Sequence, residues 1–358
     1  MTKKMLPVTI PIVVGYKRYS HFLAVMSNDE KSQAWILNHF IQLYSDKAFD
    51  QDIHWLSFYL GDLLMWRHNN NPWLYNQEME FSLINQWTDL DKFIISCIDK
   101  NQYVYINCDY YYVPYSNFYG KVNRRSQLLI TGYDLEKNEF TLMDYFNAQY
   151  RAVTVSIPAL VNAAKQGNSG RALNRSKIVL IELNQVEHYE FNLSLASKLL
   201  KDYLYAGNTY ERMPLFKKPR EHAAFGMAIY ADLQQFLDRI QQQSTVHSSL
   251  PFHILYEHKK CMRLLYDRLI QSGSIEPSAA LADELSLLIE KSLVLRNLYF
   301  KLEISEDLHL IGKMKQSVET IKALEISALE KLIALIDGRG SNDLQQDVRD
   351  EAPSMNSS

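Results

Sequence analysis

The stretch QYVYINCDYYYVPYSNFYGKVNRRSQLLITGYDLEKNEFTLMDYF, Gln102–Phe146, decides the fold class. It divides into three runs rich in β-branched and aromatic residues: Tyr103–Tyr112, Ser126–Tyr133 and Glu139–Asp144. Runs of this kind, bounded by turn formers, predict strands, because branched and ring side chains pack well on a pleated, half-buried surface. The polar link Asp134-Leu135-Glu136-Lys137-Asn138 joins the last two runs as a hairpin.

Outward from this hairpin the first half of the chain mixes both element types. Val8–Val14 is a short extended run. Ser20–Ser27 and Gln33–Tyr44 have helical spacing, with Trp35, Leu37, Phe40, Ile41 and Tyr44 as an apolar stripe. Ile53–Trp66 is a third helix candidate, stopped by Asn69-Asn70-Asn71-Pro72, and Asp89–Asp99 is a fourth. Ile157–Lys165 is a short helix with Pro158 in its first turn, where a missing N–H costs nothing. Gln166–Lys177 reads as a loop and Ile178–Leu183 as a strand.

From Ser194 the pattern becomes helical, through Ser194–Tyr205, Phe225–Gln243, Pro251–Gly273, Ala279–Leu302 and Ser305–Ile336. Leu285, Ile289, Leu293, Leu295 and Leu298 give one of these the apolar stripe of a bundle helix. The segment from Arg339 onward lacks large apolar groups and is expected to be disordered. The expectation is an α+β protein: an antiparallel-sheet domain over residues 1–190, an all-helical domain over 191–338, and a tail over 339–358.

Composition narrows the function classes. A net charge of −3 gives no concentrated basic face of the kind nucleic acid requires. Cys97, Cys108 and Cys261 are scattered, with no zinc or redox spacing, and no histidines show HxxH or HExxH spacing, so neither metal nor cofactor is expected. No run approaches the ~18 apolar residues of a membrane span. MTKKMLPVTIPIVVGY reads as a strand rather than a signal peptide, which makes a cytoplasmic protein the expectation. The 23 tyrosines fit amphipathic strands, or an aromatic-lined groove.

The strand Tyr103–Asp109 with its Asp109-Tyr110-Tyr111 ending, the Gly132-Tyr133-Asp134 turn and Asp144 resemble the N-terminal domain of the butirosin biosynthesis protein H family. That family has a papain-like fold related to C39-type peptidases. Trp35–Tyr44, Leu200–Arg212 and Pro251–Met262 are similar to bacterial (bacilli) proteins found with nonribosomal peptide or polyketide clusters. The resemblance implies a role in antibiotic biosynthesis, with a carrier protein, or a nonribosomal peptide or polyketide synthase, as partner. It also implies a peptide or acyl-thioester substrate.

In such families a cysteine at a helix start is the nucleophile. A histidine six residues before the glycine is the base, and an acidic or amide residue on the next strand orients it. Imidazole and the helix dipole together make thiolate available from a thiol that is otherwise protonated at neutral pH. Here the base position is Ser126, whose hydroxyl cannot accept a proton near neutrality. The orienter position is Asp144, and no cysteine stands near Tyr19-Ser20-His21, where the nucleophile belongs.

Two rescues are open. Ser20 could be a nucleophile with His21 as base, or His21 could act across the cleft on Asp144 or Ser126. The simpler readings are that Ser20 caps a helix and that His21 is a satisfied structural residue. Arg124, Arg125 and Tyr111 are candidates to bind substrate, the arginines through the planar fork that suits carboxylate or phosphate. Glu257, His258 and Cys261 fall on one predicted helix, where a solvated face with Cys261 turned inward is the plain reading. The functional expectation is an accessory protein on an acyltransferase- or peptidase-like scaffold that lacks the Cys–His pair. The alternative is an active acyltransferase or amide hydrolase with a relocated nucleophile and base.

Overall fold

A computed structural model describes residues 1–49, 52–61, 71–146, 149–169, 177–212, 219, 221–245 and 247–350, with side chains as far as 338. The protein is α+β, with an antiparallel sheet and a helical C-terminal region. Its contacts divide it into two compact units. One is Met1–Gln33 with Asp62–Tyr189; the other is Ala34–Gly61 with Glu190–Ser358. The second unit thus includes Ala34–Gly61, which the sequence reading placed in the N-terminal domain.

In the first unit the sheet runs β4 (Leu74–Glu80), β9 (Lys177–Leu183), β5 (Tyr103–Asp109), β6 (Arg125–Asp134), β7 (Glu139–Phe146) and β8 (Gln149–Ser156), all antiparallel. A short β1 (Lys3–Met5) also pairs with β6. The hairpin expected from the sequence is present as β6–β7. Asp134 closes its turn by accepting the backbone N–H groups of Glu136 and Lys137, each at 3.1 Å, and Asn138 takes the left-handed conformation with φ of 56°. Gly132 and Tyr133, the end of the expected strand Ser126–Tyr133, are extended in β6 and pair with Met5 and Lys4, so the turn of the family motif does not form there.

The first strand of the trio stops three residues early. Asp109 accepts the N–H of Tyr111 at 3.0 Å, which folds Tyr110–Tyr112 into a 3-10 turn in place of strand. Val8–Val14 forms no strand, since the sheet takes Lys3–Met5 instead.

Helix α1 (Lys17–Met26) packs on β6 and β9 and is buried continuously from Tyr19 to Met26. It starts three residues before the expected Ser20, so Ser20 lies in its interior and is not the cap; Tyr16 occupies that position. Helix α3 (Phe81–Trp87) follows β4, while α4 (Leu90–Asp99) and α5 (Ile157–Gly167) pack on β5. At the end of α5 a Cβ on Gly167 would sit 2.6 Å from the Cys108 carbonyl carbon and 2.7 Å from the Asp109 nitrogen. Only glycine allows that approach, so Gly167→Ala is expected to cost about 1–3 kcal/mol through overpacking. Urea unfolding should show a lowered midpoint at unchanged m.

In the second unit, helix α2 (Ser32–His39) ends before β2 (Leu43–Ser45), which pairs antiparallel with β3 (Leu56–Phe58) and with β10 (Ala224–Phe225). The helices expected over Gln33–Tyr44 and from Ile53 are therefore each partly strand. Such short apolar runs fit either period, and pairing decides between them. Residues 62–66 of the second expected helix lie outside the described residues.

Then come α6 (Leu193–Leu204), α7 (Ile229–Gln241), α8 (Leu250–Gln271), α9 (Ala279–Ser305) and α10 (His309–Asp350). Asn192 and Ser278 cap α6 and α9 by accepting the N–H three residues ahead, of Leu195 and Leu281. The helix α10 continues to Asp350, through much of the stretch expected to be disordered. That stretch holds no proline before Pro353, so a formed helix can propagate into it. Residues 351–358 lie outside the described part. Where α8 and α10 meet, Lys259 pairs with Glu325, whose other oxygen accepts from Tyr203 at 3.2 Å and Tyr230 at 2.6 Å. Both charged groups are buried, and the hydroxyls supply the hydrogen bonds such a pair needs away from water.

Candidate functional site

Within the first unit a pocket of about 270 Å³ opens beside the end of β7, lined by Lys17, Tyr110, Tyr115, Phe118, Arg124, Ser126, Tyr145 and Phe146 among others. Three of these residues, Lys17, Tyr110 and Tyr115, bind Asp144, which is fully buried behind them and surrounded by donors. One carboxylate oxygen takes the Lys17 ammonium at 2.6 Å and the Tyr145 backbone N–H at 2.7 Å. The other accepts the hydroxyl of Tyr115 at 2.7 Å and that of Tyr110. Lys17 also donates to the Tyr110 oxygen and to the Gln127 carbonyl at 3.1 Å, so its three N–H bonds are all used.

Local sequence sets this geometry. Lys17 is the first residue of α1, and Ser20 and His21, three and four residues on, lie on the same helix face. The pocket wall is the segment Tyr110–Asn123, tied shut at its base by Asp109. That carboxylate accepts the N–H of Tyr111 and of Arg124, each at 3.0 Å, and the Asn123 amide at 2.6 Å. Burial pushes Asp109 up, but these donors prevail and hold its carboxyl below the usual range. Gly120, with φ of 65°, gives the segment its return.

Charge states follow from burial. Desolvation pulls the Lys17 ammonium below its ordinary pKa, against the opposing pull of Asp144. The hydroxyls of Tyr110 and Tyr115 are pushed far up, by burial first and then by the Asp144 charge, so they remain donors. His21 is buried, shares a hydrogen bond of 3.0 Å with the Tyr150 hydroxyl, and is lowered to about 3 by burial and by Lys17. A base that weak is poorly matched to proton transfer at neutral pH.

The expected site residues are placed as follows. Ser126 lines the pocket, across from Cys108 in the β5–β6 register. Arg124 also lines it, whereas Asp144 is fully buried behind the lining residues Lys17, Tyr110 and Tyr115, which bind its carboxylate. Ser20 and His21 are fully buried; Ser20 meets the Tyr145 hydroxyl at 3.3 Å, and neither residue lines the pocket. Arg125 donates to the Ser169 carbonyl at 2.7 Å, and Tyr111 packs edge-on against Tyr112; neither lines the pocket.

The residues missed by sequence reasoning are Lys17, Tyr110, Tyr115, Phe118, Tyr145 and Phe146. Lys17 carried one usable signal, a cation three and four residues ahead of the singled-out Ser20 and His21. Cys108 comes into this neighbourhood from β5, but it is fully buried, and burial and the Asp144 charge push its thiol up. Thiolate is the reactive form, so burial works against reaction there. Among the described residues no three His, Cys, Asp or Glu side chains form a metal-binding group.

Neither protein-family models nor curated proteins match this chain. Among the described residues no helix is long and apolar enough to cross a membrane. The chemistry of the Asp144 pocket therefore rests on its own residues. It offers two cations, hydroxyl donors and aromatic walls around a carboxylate that is already paired.

Proposed function

We propose that the chain is an accessory protein of a peptide or polyketide antibiotic pathway, and that it binds a carrier-protein-bound acyl or peptidyl intermediate on a papain-like scaffold without turning it over. The pathway, the carrier partner and the scaffold family come from the family resemblance, and the cytoplasmic setting from an N-terminus that reads as a strand rather than a signal peptide. The non-catalytic part is supported by one observation. Asp144, at the position that would orient a catalytic imidazole, is bound to the Lys17 ammonium.

An aspartate in that arrangement has no free oxygen to hold a histidine, and Ser126 supplies none. What remains is a pocket in which Arg124, Ser116, Asn117 and Ser126 can hold a polar group. The expected result is a stable complex between the purified chain and an acyl-loaded carrier domain, seen as co-elution or in interferometry. Ser126→Trp, which fills the pocket, should weaken the complex about tenfold or more. Absence of binding to any of a panel of loaded carrier domains would sink the carrier reading.

A further inference from the structure

We infer that the Asp144 pocket selects ligands bearing a single small anion, a carboxylate or a phosphate ester, on a flat apolar body, with the Arg124 guanidinium as the anion contact. This deepens the proposed function and rests on its reading of the pocket as a binding site.

Charge accounting comes first. Lys17 and Asp144 neutralise each other, and Asp144 is fully buried beneath the tyrosine hydroxyls. Among the lining residues that leaves Arg124 as the uncompensated charge, and no carboxylate lines the cavity. Asp109, the nearest acid in sequence, spends its oxygens on Tyr111, Asn123 and the Arg124 backbone N–H rather than on the guanidinium.

The guanidinium itself makes no hydrogen bond or ion pair among the described residues. It lies 4.8 Å from the centre of the Phe118 ring. A cation–π contact at that distance engages the face of the Phe118 ring and spends none of the guanidinium N–H groups on an acceptor. A planar fork without an acidic partner, at the rim of a cavity, matches a carboxylate or phosphate through two parallel bonds.

The walls define the rest of the ligand. Phe118, Tyr145 and Phe146 are half-buried and line the same cavity, giving aromatic surface beside the anion position. At about 270 Å³ the pocket lies just under the size range of drug-sized sites. That favours one ring or a short acyl group over a large cofactor.

The test uses free small probes, so that no carrier protein is needed. Benzoate and phenyl phosphate are titrated against their neutral counterparts, benzamide and phenol, by ligand-observed NMR. The wild-type chain, Arg124→Gln and Arg125→Gln are compared. Arg125 serves as control because its guanidinium already donates to the Ser169 carbonyl.

The expected result is about tenfold tighter binding of at least one anion than of its neutral counterpart, the size of a charge-assisted hydrogen bond. Arg124→Gln should erase that preference and Arg125→Gln should keep it. Whether benzoate or phenyl phosphate gains more identifies the anion. Equal affinity for charged and neutral probes, no binding of any probe, or a preference that survives Arg124→Gln would overturn the inference. Arg124-dependent anion binding without carrier binding sinks only the carrier reading; carrier binding without anion preference sinks only this inference.

Discussion

Asp144→Ala is expected to destabilise the first unit by about 3–5 kcal/mol, the cost of removing one partner from a buried ion pair. The substitution strands the Lys17 ammonium, two tyrosine hydroxyls and the Tyr145 N–H, all of which now converge on one carboxylate. About a fifth of the Lys17 side chain remains exposed, which lets water reach the orphaned cation and places the loss at the lower end of that range.

Lys17→Met should cost less than Asp144→Ala, because the two tyrosine hydroxyls and the backbone N–H still satisfy the carboxylate. The double variant Lys17→Met/Asp144→Ala should cost less than the sum of the two single variants, since it leaves no unpaired charge buried. Urea unfolding of the four proteins closes the cycle. A loss below about 1 kcal/mol for Asp144→Ala, or strict additivity in the double variant, would show that the pair is not coupled as described.

Mild acid should weaken the fold before the carboxylates titrate, through three histidines held neutral, two of them fully buried. His21 is lowered to about 3 and His39 to about 4, in both cases chiefly by burial. His258 is lowered well below its ordinary value by burial and then by the neighbouring Lys259. Its ring nitrogens are both engaged, Nε2 with the Ile41 carbonyl at 2.7 Å and Nδ1 with Lys259 at 3.2 Å.

In each case the folded pKa lies below the unfolded value of about 6.5. Between the two, the unfolded chain holds a proton that the native chain does not. Stability therefore rises with pH in that window and is lost as pH falls from about 6.5. Each histidine contributes a slope of about 1.4 kcal/mol per pH unit. His21 belongs to the first unit, and His39 and His258 to the second. Between about pH 6.5 and 5.5 the second unit should thus lose roughly twice as much as the first. Urea unfolding at the two pH values, repeated for His21→Phe, checks this. The first unit's slope should flatten in that variant, and an unchanged slope would mean that His21 is not held neutral.

The sequence and the structure agree where a signal is local. The runs around Val104, Leu128 and Phe140 are β-branched and aromatic, and they form the central strands β5, β6 and β7. The apolar periodicity of Leu285 to Leu298 lies within the helix α9. Two of the strands that sequence reading missed, β4 and β8, are the two ends of the sheet path. Segments such as LYNQEME and QYRAVTVS leave many side chains exposed, so they carry too little apolar alternation to be recognised.

At the site, Asp144, Ser126 and Arg124 were legible by their spacing from Gly132 or by their chemistry. Lys17 was not, because a lysine in the first turn of a helix usually points to water. Only the fold carries it to Asp144, 127 residues away in sequence. Tyr110 and Tyr115 were hidden for a related reason. The Asp109 turn that lifts them out of the strand depends on Asn123 and Arg124 returning to the same carboxylate.

The most direct measurement of the central claim is release of free thiol from an acyl-thioester, or from an acyl-loaded carrier domain, incubated with the purified chain near neutral pH. A pocket with no thiol or histidine on its walls, backed by an Asp144 bound to Lys17 and a His21 that is buried and neutral, is predicted to give release at the rate of buffer alone. Ser20→Ala, His21→Ala and Ser126→Ala should leave that rate unchanged. Saturable release above the buffer rate, abolished by any one of these substitutions, would contradict the account and restore the scaffold as an enzyme.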